Sequence, residues 1–168
     1  MTEVDIVTWR CGGPPSTGQF QRYPGRFIPN VKRYYPELIS DKTLHMFAGS
    51  IGGTKALPGT TTDIRAEAEP DVVAPYDNLP FEDNTFTGVL ADPPYANHWA
   101  NEWHTELPKP GRILHEASRV TQSGGLVAIL HLIVIPAYKT AHVQRVGIHP
   151  VLVGPNNAIR ALNVFRVE

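Results

Sequence analysis

Residues 85–98 read TFTGVLADPPYANH, and the fold is decided here. The apolar residues of TFTGVLAD follow one another without alternation, which predicts a strand buried on both faces. The acid Asp92 stands at the end of that strand. Pro93 and Pro94 then fix the backbone and donate no hydrogen bonds. Tyr95 adds a flat aromatic face. Buried strands belong to open α/β sheets, whose ligands bind beyond the carboxyl ends of the strands where the strand order reverses.

Working outward, KTLHMFAG (42–49) reads as a short buried strand that ends in a glycine turn. GTTTDI (59–64) is a β-branched strand ending at Asp63, and PDVVAPY (70–76) is a further strand. PGRILHEASRVTQSGG (110–125) predicts a helix: Ile113, Leu114, Ala117 and Val120 share a face, and Gly124–Gly125 ends it. LVAILHLIVI (126–135) is a continuous buried strand, and residues 146–168 form a closing hairpin with a turn at GPNN. The region before residue 40 is rich in proline, glycine and aromatics and reads as a loop, then a helix over 29–39 opened near Pro29. The expectation is one domain over 1–168, with a loop/helix segment at 1–40 and a catalytic core at 41–168. The fold class is α/β, a Rossmann-like, mostly parallel sheet with a C-terminal antiparallel hairpin. Three marked features fall at strand ends: FAGSIGG, Asp63 and DPPY.

Composition narrows the function. A hydrophobic share of 42% with 18% charged residues fits a globular protein. The N-terminus is acidic and only briefly apolar, which does not read as a signal peptide. The longest apolar run is too short and interrupted to span a bilayer. The single cysteine, Cys11, allows no internal disulfide and suits a reducing cytoplasm. It reads as loop material with no activating neighbourhood. Net charge is −1, but six Lys/Arg face two acids over 10–46, ten acids face one Arg over 61–106, and seven Lys/Arg face two acids over 107–168. A basic face beside an acidic pocket is one reading; ordinary surface charge is the other. His98 and His104 have no metal-ligand spacing, so no metal site is expected.

The chemistry of DPPY follows from its residue types. The Asp92 carboxylate and the Pro93 carbonyl are two acceptors held side by side, which suits an NH₂ donor. Tyr95 offers a face on which a planar base stacks, worth about 1–3 kcal/mol. Two hydrogen bonds accepted from an aromatic amine draw its nitrogen toward tetrahedral geometry and free its lone pair, so catalysis is electrostatic and orientational.

On these residues the chain resembles the class I amino-methyltransferases of the DPPY type, which use S-adenosylmethionine to methylate adenine N6 or cytosine N4 in DNA, with RNA-directed relatives. The resemblance implies a seven-stranded sheet, a base flipped out of its stack, and a target amine held by Asp92 and Pro93, with Pro94 shaping the turn and Tyr95 stacking. It implies a cofactor loop at Phe47, Ala48, Gly49, Ser50 and Gly52, the second glycine displaced by one position, with Asp63 on the ribose hydroxyls and Asp77, beside Tyr76, on the adenine. Tyr23, Pro24 and Arg26 resemble the segment that covers the methionine end. The family fits a helix of about ten residues between Phe47 and Asp63; Pro58 and the glycines there leave no room for a full one. A trimmed enzyme with part of one sheet face uncovered needs a partner, so a homodimer or a partner subunit is expected. No stretch is long enough for a target-recognition domain. Three readings stay open: a DNA base methyltransferase, an RNA base methyltransferase, and an inactive nucleic-acid-binding or partner subunit.

For each signal a plainer reading stands beside the functional one. Asp92 and Asp63 could cap the segments that follow, and Asp77 suits a turn. Trp99 and Trp103 could pack on one helix face or wall the site. His131 reads as a satisfied core histidine, and Arg160 as a turn residue that could contact phosphate.

Overall fold

The computed structural model describes residues 4–12, 23–49, 51, 56–95, 106–154 and 158–168. Among these residues eight strands form one sheet: β1 (Trp9–Cys11), β2 (Thr43–Met46), β3 (Thr60–Asp63), β4 (Val72–Val73), β5 (Phe86–Ala91), β6 (Thr121–His131), β7 (Val143–Val153) and β8 (Ala158–Val167). Their spatial order is β1-β7-β8-β6-β5-β2-β3-β4. Every pairing is parallel except those of β8, which runs antiparallel to both β6 and β7. From β2 the chain steps outward through β3 to β4, then returns to place β5 on the other side of β2. The carboxyl ends of β2 and β5 therefore flank the crevice where the order reverses, the usual ligand position in such sheets.

Both faces of the central strands are covered. On one, helix α1 (Phe27–Tyr34) and the short 3₁₀ turn Pro36–Leu38 bury Phe27, Val31 and Leu38 against Leu90, Ala128, Leu130, Leu162 and Val164. On the other, helix α2 (Pro110–Val120) buries Ile113, Leu114, Ala117 and Val120 against Met46, Val89, Val127, Ile129 and Phe165. Each large aliphatic or aromatic side chain so removed from water contributes about 1.5–3 kcal/mol. Neighbouring positions of β5 and β6 go to opposite clusters, Val89 to one and Leu90 to the other. That explains the unbroken apolar runs in these strands. At the β3–β4 edge Ile64 and Val73 stay more than half exposed. No helix among the described residues is long and apolar enough to cross a membrane.

Four boundaries differ from expectation. The N-terminal segment, read as loop, supplies β1, which pairs with the outer edge of β7 through Trp9↔Val151 and Cys11↔Val153. Cys11 is accordingly buried and not in an exposed loop. Its strand of three residues is too short for a periodicity signal and exists because β7 offers an edge. Helix α1 starts at Phe27, so Pro29 lies inside its first turn, where its missing N–H costs nothing, and Pro36 stops it after Tyr35, which has left the helical region at φ −140° and ψ 63°. Helix α2 stops at Val120, before Gly124–Gly125. The Thr121 hydroxyl donates to the Ala117 carbonyl at 2.7 Å, and the chain passes directly into β6. Strand β6 ends at His131, four residues before the apolar run does, because Asn163 captures the next segment: its Oδ1 accepts from the Ile135 amide at 2.8 Å and its Nδ2 donates to the Ile133 carbonyl at 3.1 Å.

Candidate active site

The first wall of the crevice is the turn after β2. Phe47 (φ 57°) and Gly49 (φ 49°) are both left-handed, so the backbone turns sharply as it leaves the sheet. Only glycine adopts this freely, which makes Phe47 a strained position. Phe47 packs its ring 5.7 Å from that of Tyr76. The Ala48 amide donates to the Thr62 carbonyl at 3.0 Å, and the Gly49 amide to Asp63 Oδ2 at 3.0 Å. The turn is thus fastened to the neighbouring strand. Ser50 and Gly52, expected in the cofactor loop, lie outside the described residues, as do Trp99, Trp103, His98 and His104.

Asp63 stands at the carboxyl end of β3 and is buried. Oδ1 accepts from the Arg65 amide and from Arg65 Nε, both at 3.0 Å; Oδ2 accepts from Gly49 and from Arg65 Nη2 at 3.1 Å. Two carboxylate oxygens offer about four acceptor positions, and all four are filled here. A ribose hydroxyl reaches Asp63 only by replacing one of these donors. Asp77 is more open: its side chain is 30% exposed and pairs with Arg112 Nη1 at 3.1 Å. Its loop is strapped to α2. Arg119 donates to the Leu79 and Phe81 carbonyls at 3.1 and 2.9 Å and to Asp83 Oδ1 at 2.7 Å, while Glu116 accepts from the Leu79 amide at 2.7 Å.

The second wall is the turn after β5. Asp92 follows Ala91 directly, and its side chain is 17% exposed. Burial pushes its carboxyl up from the ordinary 3.8 to about 7, although the nearby Arg160 guanidinium pulls it down. Pro93 is buried, and Pro94 and Tyr95 are half-buried. Arg160 comes from β8, far away in sequence. Its Nη1 lies 4.0 Å from Asp92 Oδ2, and its guanidinium lies 5.0 Å from the centre of the Tyr95 ring. His131, at the end of β6, meets the Tyr95 ring edge-on at 5.8 Å, and its Nδ1 accepts from the Ile133 amide at 3.3 Å. Burial raises the Tyr95 phenol and lowers His131, which favours the uncharged form of each.

In the field of Asp92 lies Tyr23, whose pairing with His45 the sequence did not disclose. His45 is fully buried in β2. Its Nε2 lies 3.0 Å from the Pro58 carbonyl, which can only accept, so Nε2 carries the proton. Its Nδ1 therefore accepts from the Tyr23 hydroxyl, at 3.5 Å. Burial and the field of Asp92 both raise the Tyr23 phenol, which keeps it protonated. Gly59 makes the Pro58 carbonyl available: its φ is +110°, and a Cβ there would overlap the Thr43 carbonyl oxygen. The signal in the sequence was a histidine inside a short apolar strand, which has no periodicity of its own.

The structure thus brings Phe47, Ala48, Gly49 and Asp63 to one side of the crevice and Asp92, Pro93, Pro94 and Tyr95 to the other. It adds His45, and it brings Arg160, His131 and Tyr23, which the sequence offered for other roles, around Asp92 and Tyr95. No family model matches the sequence. No curated protein matches it either. Solved structures do. A SAM-dependent methyltransferase from Methanosarcina mazei aligns over 83% of this chain and 97% of its own, at 12% identity and a TM-score of 0.53. The complex between the Haloferax volcanii Trm112 methyltransferase activator and a methyltransferase aligns over 83% of this chain and 87% of that one, at 14% identity and 0.53. The 1,6-didemethyltoxoflavin-N1-methyltransferase of Burkholderia thailandensis, with its substrate and S-adenosylhomocysteine bound, aligns over 83% of this chain and 76% of its own, at 14% identity and 0.51. The likeness shows the fold, a class I methyltransferase sheet with its antiparallel C-terminal strands; β1 is an eighth strand beyond the expected seven. What the fold is used for has to be read from the site.

Proposed function

We propose that this protein transfers a methyl group from S-adenosylmethionine to the exocyclic amine of a nucleobase, adenine in DNA foremost. The observation that carries this reading is a half-buried carboxylate, Asp92, followed by two prolines and an aromatic ring at the strand-order reversal of a class I methyltransferase sheet. The residues fit the cofactor. The left-handed turn over Phe47–Gly49 leaves its backbone beside the crevice, Asp77 is accessible for an adenine amine, and Asp63 would take a ribose hydroxyl in exchange for an Arg65 contact. Bound there, the cofactor supplies an electrophilic methyl group.

The chain's own residues do the rest. Asp92 and the Pro93 carbonyl accept the two hydrogens of the target amine and turn its lone pair outward. Pro94 holds the turn rigid. Tyr95 stacks on the base, which must leave its duplex partner to reach a pocket of this kind. A carboxyl near 7 is also matched to receive the proton that the amine gives up, because its affinity for the proton is close to that of the surroundings.

An RNA base is the second reading; it is favoured by the short span between the cofactor turn and Asp92, which leaves no room for a recognition domain. A partner subunit or second copy, covering the exposed Ile64 and Val73 at the β3–β4 edge, belongs to either reading. Titration calorimetry with S-adenosylhomocysteine tests the cofactor, and binding is expected. No heat at millimolar ligand would leave only the role of an inactive nucleic-acid-binding or partner subunit.

A further inference from the structure

Arg160 lies against both functional groups of the DPPY turn yet belongs to neither that turn nor the cofactor loop. It sits on β8 opposite Val151 of β7, and its register places it just beyond Ala161, the partner of His131 at the end of β6. The antiparallel strand thus starts at the same sheet edge where β5 and β6 finish. A side chain near its beginning reaches over the crevice from the far side. Alternate residues Leu162 and Val164 bury into the α1 face, so Arg160 leans toward that face as well. Asp92 follows Leu90 by two positions and shares the same side. The two charges meet at 4.0 Å, with the guanidinium 5.0 Å over the Tyr95 ring.

We propose that Arg160 is a positioning residue of the active site: it steadies the Asp92 carboxylate as an acceptor and holds the Tyr95 ring at the angle from which a base can stack. This rests on the reading of Asp92 as the group that grips the target amine. The other titratable groups around Asp92 do not supply a cation. Tyr23, from the segment before α1, and Tyr95, from its own turn, are both held as neutral phenols. His45 on β2 touches Tyr23, and His131 on β6 touches Tyr95; burial lowers both rings toward the neutral form. Cys11 of β1 also lies in the field of Arg160, but burial raises its thiol. Among the described groups Arg160 is therefore what opposes the burial of Asp92. Orientation matters as well as charge. A guanidinium over a ring face is a favourable contact of about 0.5–2 kcal/mol, and here it holds the Tyr95 ring from one side.

The test uses full-length protein carrying ¹³C-labelled aspartate and follows the Asp92 carboxyl by NMR between pH 4 and 9. Wild type is expected to titrate near 7. Arg160→Gln and Arg160→Met, two neutral variants of which the second keeps the apolar stem, are expected to move that midpoint upward by about one unit or more. Arg160→Lys restores the cation and is expected to bring most of the shift back. In methyl-transfer assays the acidic limb of kcat moves in parallel for each variant. An Asp92 midpoint unchanged in both neutral variants, or shifted equally in Arg160→Lys, overturns the proposal. A midpoint that moves as expected while no nucleobase is methylated upholds the Arg160–Asp92 coupling and fails the functional reading, so the two failures are distinct.

Discussion

The Gly49 amide donates to Asp63 Oδ2 at 3.0 Å, and this bond ties the ends of two neighbouring parallel strands into one rigid lip. The turn after β2 cannot open without disturbing Asp63, and Asp63 cannot move without releasing Arg65. The acid expected to bind a ribose is therefore also the fastener of the loop that would cradle the cofactor.

Asp63→Asn separates these roles. One carboxylate oxygen becomes an NH₂ that must face donors, either Gly49 or Arg65. Loss of a buried charged pair and a donor–donor clash are expected to cost about 2–4 kcal/mol. Thermal denaturation measures this, and S-adenosylhomocysteine binding weakens with it. Unchanged melting would mean that the four bonds to Asp63 contribute little.

Asp92 makes stability depend on pH in a sense opposite to that of most carboxylates. Its folded value is about 7 against an ordinary 3.8. Between these values the folded protein holds a proton that the unfolded chain has released, so stability falls as pH rises through that window. Asp92→Asn removes the liability. The variant is expected to melt above wild type at pH 8, by on the order of a few kcal/mol, and to match it near pH 4. It is also expected to lose methyl transfer while retaining S-adenosylhomocysteine. A melting gap that grows toward low pH would contradict a carboxylate whose burial outweighs the pull of Arg160.

How far the site was legible follows from the range of its contacts. The strand-end positions of DPPY, Asp63 and the glycine turn were legible because each is contiguous with the strand it ends. His45 was not, and Arg160 and Tyr23 read as candidates for other roles and not as neighbours of Asp92: their placement comes from β8 folding back beside β6 and from Gly59 turning Pro58 toward β2. The sheet's central strands were readable because burial on both faces leaves unbroken apolar runs. Strand β1 was not, since three residues carry no period and only the edge of β7 organises them. The end of α2 was misplaced because glycine usually stops helices; here Thr121 does so, and Gly124, at φ 81°, sits within the long strand β6.

Gly59→Ala tests the Pro58–His45–Tyr23 arrangement. The added methyl would collide with the Thr43 carbonyl oxygen in a backbone conformation that suits glycine alone. A loss of more than about 2 kcal/mol is expected, together with slower transfer if the residual fold survives. Guanidinium chloride unfolding reads the first and single-turnover kinetics the second. Near-neutral stability would show that the loop relaxes freely and does not fix His45.

Arg119→Ala cuts the strap between α2 and the loop carrying Asp77. Four partners are lost at once: the Leu79 and Phe81 carbonyls, Asp83 and Glu116. Because Glu116 is then left buried without its cation, the expected cost is about 2–4 kcal/mol. Hydrogen exchange should quicken at Leu79, whose amide donates to Glu116. Protection equal to wild type there would place the loop's rigidity elsewhere.

The most direct test of the central claim is mass spectrometry of nucleosides released from DNA after incubation with the protein and methyl-labelled S-adenosylmethionine. Label on the exocyclic nitrogen of adenine or cytosine is predicted, absent when Asp92→Ala replaces wild type. A protein that binds S-adenosylhomocysteine yet labels no base amine in DNA or RNA, or an Asp92→Ala variant as active as wild type, would contradict it.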